Sequence, residues 1–426
     1  MPKLSFFKKK LTKFYSKLGP GLITGASDDD PSGIATYSQA GASFGYRFLW
    51  GALITFPLMA CFQEMCGRIG IVTGNGLASI IKKHYPRWVL YFAVSFLLFA
   101  NTLNIGANLG AMAASIRLIL PLPFWFLLSA VSVIVIYLEV FVSYKKYKHL
   151  LKYLTFSLFA YVISFFIVKH DFRILLPNTF IPNITFTKEY FMIMVALLGT
   201  TISPYLFFWQ TSEEVEELVD AKIINKIGGK IQRIFKRQIF DLRFDTLTGM
   251  FFSNLIMYFI IATTAATLHK NGIYNVDTAA EAALALRPIG GELSFILFVL
   301  GILGTGLLSI PVLAGSSSYA LSETLGLNEG LYNKFNKAKG FYLIIAVSSI
   351  LGILINLLGV PPFLLLFYSA FINGVITPFL LIIIMFIANN RVIMKNRVNG
   401  KVANFFGIIT IILMFVSLIA FLYFSL

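Results

Sequence analysis

Apolar residues gather in long runs along almost the whole chain, separated by short polar stretches that carry most of the charge. A membrane-spanning helix needs roughly 20 predominantly apolar residues, and the pattern predicts about eleven of them. The runs lie near 20–44, 48–70, 89–118, 123–143, 150–168, 191–211, 246–268, 291–320, 341–358, 362–388 and 403–425. Two runs are interrupted. The first contains Asp28-Asp29-Asp30-Pro31-Ser32-Gly33, and the sixth contains Thr200-Thr201-Ile202-Ser203-Pro204-Tyr205. Helix breaks at matching positions of two halves point to a transport site between structural repeats. The expected organisation is one domain over 1–426, with repeat one at about 20–168, repeat two at about 191–388 and an extra helix at about 403–425.

Composition agrees. Of 426 residues, 58% are hydrophobic and 13% charged, and mean hydropathy is +0.80. A soluble domain is about a quarter charged. So large an apolar excess cannot all be hidden in a soluble core. An all-α, multi-pass integral membrane protein is expected, with the lipid bilayer as its surroundings. The formal charge is +16, which would otherwise suggest a nucleic-acid partner. The basic residues instead sit between apolar runs, so they read as topology signals and no nucleic acid is expected.

That topology can be tested. With a cytoplasmic N-terminus, the inside segments 1–19, 71–88, 144–152, 212–245, 321–340 and 389–402 hold about 27 of the 35 Lys and Arg. The asymmetry supports eleven spans, N-terminus in the cytoplasm, C-terminus outside, in the plasma membrane. The basic start of the chain lacks a short apolar core and a small-residue cleavage site, so no cleaved signal peptide is expected. The longest inside loop, 212–245, opens on Glu213, Glu214, Glu216 and Glu217, read as a solvated acidic face, and turns basic through Lys230, Arg233, Lys236 and Arg237.

Few polar residues fall within the spans. A carboxylate at bilayer depth costs roughly 3 kcal/mol on insertion scales. Asp28, Asp29 and Asp30 in succession are best accommodated by an unwound stretch facing a polar cavity, because Pro31 and Gly33 weaken the helix. Carboxylates and free carbonyls are hard oxygen ligands, suited to magnesium, calcium or manganese. The alternative is a helix whose aspartates reach the interface or pair with Lys or Arg. In the sixth span Pro204 frees a carbonyl one turn upstream, and Thr200, Thr201 and Ser203 offer hydroxyls. Asn101, Asn104 and Asn108 share one face of the third span, either bonding between helices or lining a pathway. Glu64 and Arg68 are spaced to pair. Glu139 is expected near an interface. Asn373-Gly374 and Thr377-Pro378 make the tenth span a further candidate for a break. All four histidines fall in loops or at helix ends, so no imidazole relay crosses the membrane core. Cys61 and Cys66 lie on different helix faces and read as packing residues. No nucleophile–base set, phosphate loop or cofactor motif is present, so neither an enzyme nor a resident cofactor is expected.

Together these motifs resemble the NRAMP family of divalent-metal transporters. The resemblance rests on Gly19-Pro20-Gly21 followed by Asp30-Pro31-Ser32-Gly33, on Arg68-Ile69-Gly70-Ile71-Val72-Thr73-Gly74, and on Gly199 to Tyr205. It implies a LeuT-type 5+5 inverted repeat with the first and sixth helices broken. The departures are informative. The family's Asp-Pro-Gly-Asn keeps Asp30 and Pro31 but has Gly33 in place of Asn. Its Met-Pro-His keeps Pro204 but has Ser203 for Met and Tyr205 for His. Where proton-coupled members carry third-span acids, this chain has Asn104 and Ala107. Loss of sulfur disfavours late transition metals, and loss of volume leaves room for a partly hydrated ion. The pattern is most similar to the NRAMP-related magnesium transporter branch, which also moves manganese without proton coupling.

The resemblance implies metal contacts from Asp30, Gly33, Thr200 and Ser203. Asp28, Asp29, Asn104, Asn108, Tyr205 and Asn373 are candidates for supporting contacts or the pathway wall. The substrate is expected to be Mg2+ or Mn2+ and the unit a monomer. A proton-coupled Mn2+ or Fe2+ importer and an organic-solute carrier of the same fold are the alternatives.

Overall fold

The computed structural model describes residues 20–142, 159–229, 231, 235–287, 291 and 294–426. The first span is two helices, α1 (Pro20–Asp28) and α2 (Pro31–Phe44), with Asp29 and Asp30 between them. α3 (Leu49–Thr73) and a short α4 (Leu77–His84) follow, then α5 (Arg87–Ile116) and α6 (Phe124–Phe141). The fifth span enters the described residues only at α7 (Phe159–Ile167), followed by a short α8 (Phe172–Phe180). The sixth span is again two helices, α9 (Lys188–Thr201) and α10 (Pro204–Asp220). The rest is α11 (Lys236–Thr267), a short α12 (Ala279–Leu284), α13 (Ser294–Leu325), α14 (Lys339–Ile355), α15 (Pro362–Asn389), a four-residue α16 (Arg391–Met394) and α17 (Lys401–Tyr423).

Among the described residues, nine helical stretches are long and apolar enough to cross a membrane, one of them running from α2 through α3. Ten of the eleven expected spans meet these stretches; the fifth, expected at 150–168, meets only the nine-residue α7, and its residues 150–158 lie outside the described residues. The outer surface stays apolar: Phe99, Phe166, Phe386 and Ile419 are all exposed. The broken helices are the opposite. α9 and α10 are buried along nearly their whole length.

Small residues let these central helices approach closely. A Cβ on Gly25 of α1 would lie 2.3 Å from the Gly249 carbonyl of α11. One on Gly199 of α9 would lie 2.2 Å from both the Ala370 carbonyl and the Gly374 nitrogen of α15. Backbone contact of this kind is how membrane helices associate without a hydrophobic driving force between them.

Four sequence expectations change. The loop expected at 212–245 is largely helical, because α10 runs on to Asp220 and α11 begins at Lys236; Lys230 and Arg233 lie outside the described residues. The acidic run is not a solvated face. Glu213, Glu214 and Glu216 are buried, and Glu216 accepts hydrogen bonds from the Tyr319 hydroxyl and from the backbone N–H groups of Leu331 and Tyr332. Packing of α10 against α13 supplies partners the local pattern does not reveal. The tenth span is a continuous helix through Asn373, Gly374 and Pro378, and the Thr377 hydroxyl occupies the Asn373 carbonyl at 2.6 Å. Glu139 is also buried, accepting from Ser349 at 3.2 Å. The Glu64–Arg68 pair forms at 3.1 Å, and Glu64 takes Arg243 as well at 2.9 Å.

Candidate metal site

The two breaks share one chemistry. Proline has no N–H, so the carbonyl four residues earlier loses its helical partner. At the first break that carbonyl belongs to Ser27, and the Tyr205 hydroxyl donates to it at 2.8 Å. At the second it belongs to Thr200, and the Ser203 hydroxyl donates to it at 2.7 Å while also lying 2.8 Å from the Gly199 carbonyl. Each proline also opens a new helix at its first turn, where a missing N–H costs nothing. Tyr205, from the second break, thus closes a gap made by the first. Thr24 reinforces the link through a 2.5 Å hydrogen bond to Gln210.

Asp30 is the N-cap of α2 and is 1% exposed. Its Oδ1 accepts from the Gly33 N–H at 2.9 Å and from the Ser32 hydroxyl at 2.5 Å. Its Oδ2 accepts from Asn104 and Asn108, each at 3.2 Å. The carboxylate is therefore fixed by four neutral donors, at the positive end of a helix dipole. The two asparagines are themselves tied to other helices. Asn104 accepts from Ser369 of α15 at 3.2 Å, and Asn108 lies 3.4 Å from Ser309 of α13. Asn101, one turn away, donates to the Leu313 carbonyl and so belongs to the α5–α13 packing instead.

Ser32 bridges the breaks, with its hydroxyl 3.4 Å from that of Thr200. Gly33 faces the same space. A Cβ there would stand 3.2 Å from the Asp28 carbonyl, 3.3 Å from the Tyr37 ring and 3.5 Å from the Thr200 hydroxyl. Asp30, Gly33, Thr200, Ser203, Asn104 and Asn108 thus converge around the breaks. Asn373 stands beside the Gly199–Gly374 crossing, with its buried Oδ1 unpartnered among the described residues. Asp28 and Asp29 turn elsewhere, onto Ser253 of α11 at 2.6 and 3.4 Å. Ser32, Ser253, Ser309 and Ser369 were not singled out from the sequence. Ser32 lies within the Asp-Pro-Ser-Gly motif, but a lone serine in a long apolar run carries no signal.

An all-helical, multi-pass membrane protein whose first and sixth spans break against each other has the LeuT-type fold. Within that class, the family model described as natural resistance-associated macrophage protein-like matches residues 21–424, and the chain belongs to that family. Similar relatives include a divalent metal cation transporter MntH of Caldanaerobacter subterraneus subsp. tengcongensis, 26% identical over 408 residues, covering 94% of this chain and 91% of the relative. A Yersinia pestis MntH is 25% identical over 307 residues, 70% of each chain. Among solved structures, the Eremococcus coleocola manganese transporter bound to an aromatic bis-isothiourea compound superposes with a TM-score of 0.77 at 15% identity, covering 94% of this chain and 85% of that one. Mhp1, a nucleobase-cation-symport-1 family transporter, follows at a TM-score of 0.57 and 12% identity, covering 96% and 90%.

Proposed function

We propose that this chain transports divalent metal cations by alternating access, taking partly hydrated Mg2+ first and Mn2+ second, without proton coupling. The observation that carries the reading is the environment of Asp30: one carboxylate held by four neutral donors where two helix breaks meet. Its relatives named as divalent metal and manganese transporters support the substrate class.

Asp30 is the charged ligand. The Thr200 and Gly33 carbonyls and the Ser203 oxygen complete a hard donor set, directly or through water. Because Ser203 donates to the Thr200 carbonyl, the two act as one unit with lone pairs left for the ion. Hard oxygens suit Mg2+ and Mn2+, and Mg2+ in particular keeps several waters when bound. At Gly33 even a Cβ would press on the Asp28 carbonyl at 3.2 Å and the Tyr37 ring at 3.3 Å, so glycine keeps a side chain out of the space beside Thr200. Asn104 and Asn108 hold Asp30 in place, Tyr205 shapes the pathway beside the first break, and Asn373 belongs to its wall. The basic loops favour a cytoplasmic N-terminus, an external C-terminus and a plasma-membrane location, with a monomer as the working unit.

Uptake of Mg2+ and Mn2+ into proteoliposomes carrying an internal pH dye tests this. Wild type should take up both ions with no internal acidification, and Asp30→Ala should take up neither. Ser203→Met should shift preference towards Mn2+ and Cd2+. Acidification in step with Mn2+ entry would refute the uncoupled reading, and unchanged selectivity in Ser203→Met would refute the hard-donor argument.

A further inference from the structure

Three successive carboxylates are buried here: Asp28, Asp29 and Asp30 are 0%, 1% and 1% exposed. Among the described residues no Lys, Arg or His pairs with any of them. Their interactions are with Ser253, Ser32, Gly33, Asn104, Asn108 and one another. Buried charges are tolerated when paired or when they hold an ion. A divalent cation on Asp30 leaves Asp28 and Asp29 without a counter-ion of their own, since both point away from Asp30's donors and towards Ser253 of α11.

The surroundings of that pair have unused oxygen capacity. Asp28 Oδ2 and Asp29 Oδ1 both meet the Ser253 hydroxyl, at 2.6 and 3.4 Å. One hydroxyl has one proton, so it satisfies one carboxylate and leaves its own lone pairs and the other carboxylate oxygen turned inward. Asp28 Oδ1 is buried with no hydrogen-bond partner among the described residues. The Tyr37 hydroxyl is likewise fully buried and without a partner among the described residues, and the Tyr37 ring lies with the Asp28 carbonyl beside Gly33. An unpartnered buried polar group in a native fold calls for an explanation, and an ion is one.

We infer that Asp28, Asp29 and Ser253, with the Tyr37 hydroxyl beside them, form a second cation site that takes a monovalent alkali ion alongside the transported divalent one. The donor set is entirely hard oxygen, which suits an alkali cation and excludes a soft metal. The site goes beyond the proposed transport reading, in which neither Asp28 nor Asp29 has an assigned contact with the ion. It would also join α1 to α11 across the close contact at Gly25 and Gly249.

The test is thermal unfolding of the purified full-length protein in detergent with EDTA present. Sodium chloride and potassium chloride are compared with N-methyl-D-glucamine chloride at equal ionic strength. A ligand that binds only the folded state raises its melting temperature. One alkali ion should raise the melting temperature of wild type by a few degrees. The rise should persist in Asp30→Asn, which removes the charge of the proposed divalent ligand, and disappear in Asp28→Asn and Ser253→Ala. Ser253→Ala should still bind Mn2+ by calorimetry, showing that it is folded. No alkali-dependent rise in wild type would overturn the proposal; a pair that shares a proton instead gives that result. A rise lost in Asp30→Asn as completely as in Asp28→Asn would also overturn it, by assigning the ion to the divalent site. If wild type shows the alkali rise but binds no Mn2+, the transport reading fails and the second site stands.

Discussion

The Tyr205 hydroxyl donates to the Ser27 carbonyl at 2.8 Å, the carbonyl that Pro31 deprives of its helical partner. A side chain from one broken helix therefore completes the hydrogen bonding of the other, and the two breaks are a single unit. Removing the hydroxyl leaves a buried acceptor unsatisfied, a loss of about 1–3 kcal/mol. Tyr205→Phe should accordingly melt several degrees lower than wild type. Because the ring remains, Mn2+ binding by calorimetry should fall much less than stability does.

Asn108 reaches Asp30 from a different helix, and under the proposed function its role is orientation. Partners that orient a metal ligand contribute roughly 10–100-fold to affinity. Asn108→Ala should weaken Mn2+ binding by about tenfold, at the low end of that range because Asn104 still holds the same oxygen. Affinity measured by calorimetry for Asn104→Ala, Asn108→Ala and the double variant checks this. The double variant should lose more than the two single losses combined, since each asparagine covers for the other.

Gly199 and Gly374 bring α9 against α15 at the level of the second break. A methyl group on Gly199 would sit 2.2 Å from backbone atoms of α15, which cannot rotate away as a side chain could. Overpacking of this sort costs about 1–3 kcal/mol. Gly199→Ala should lower the melting temperature and move Thr200 relative to Asp30, so Mn2+ uptake should fall more steeply than protein yield.

Glu329 lies in the connection between α13 and α14. Burial, reinforced by the nearby Glu323 and Glu216 carboxylates and partly offset by Lys83, pushes its carboxyl from the ordinary 4.5 up to about 9. The unfolded chain ionises this group above its ordinary value, while the folded protein keeps it protonated up to about 9. Stability from this group is thus fully present below 4.5 and is lost as pH rises towards 9. Glu329→Gln cannot ionise, so its melting temperature should fall less over that interval than that of wild type. Parallel pH profiles of the two proteins by thermal unfolding decide it.

Much of this protein was legible in its sequence, and for a physical reason. Lipid demands long apolar helices with internally satisfied backbones, so spans, breaks and topology signals are written as local patterns. The burial of Asp30 at a helix break was equally legible, because a carboxylate beside a proline at bilayer depth has few tolerable explanations. The sequence alone could not say that Asp28 and Asp29 turn to α11 while Asp30 turns to α5. Three adjacent residues differ in partner only because the chain is unwound there, and the direction of each side chain is set by helices far away in sequence. Nor could it say that the acidic start of the expected loop is buried, since Tyr319 and the Leu331 and Tyr332 N–H groups reach Glu216 only once α10 and α13 pack. The kink-prone tenth span stayed whole, with Pro378 inside a continuous α15, which proline position alone does not reveal. Hydrophobic length and proline position determined where the chain crosses and breaks. Tertiary packing alone decided which lone pairs face one another across the breaks.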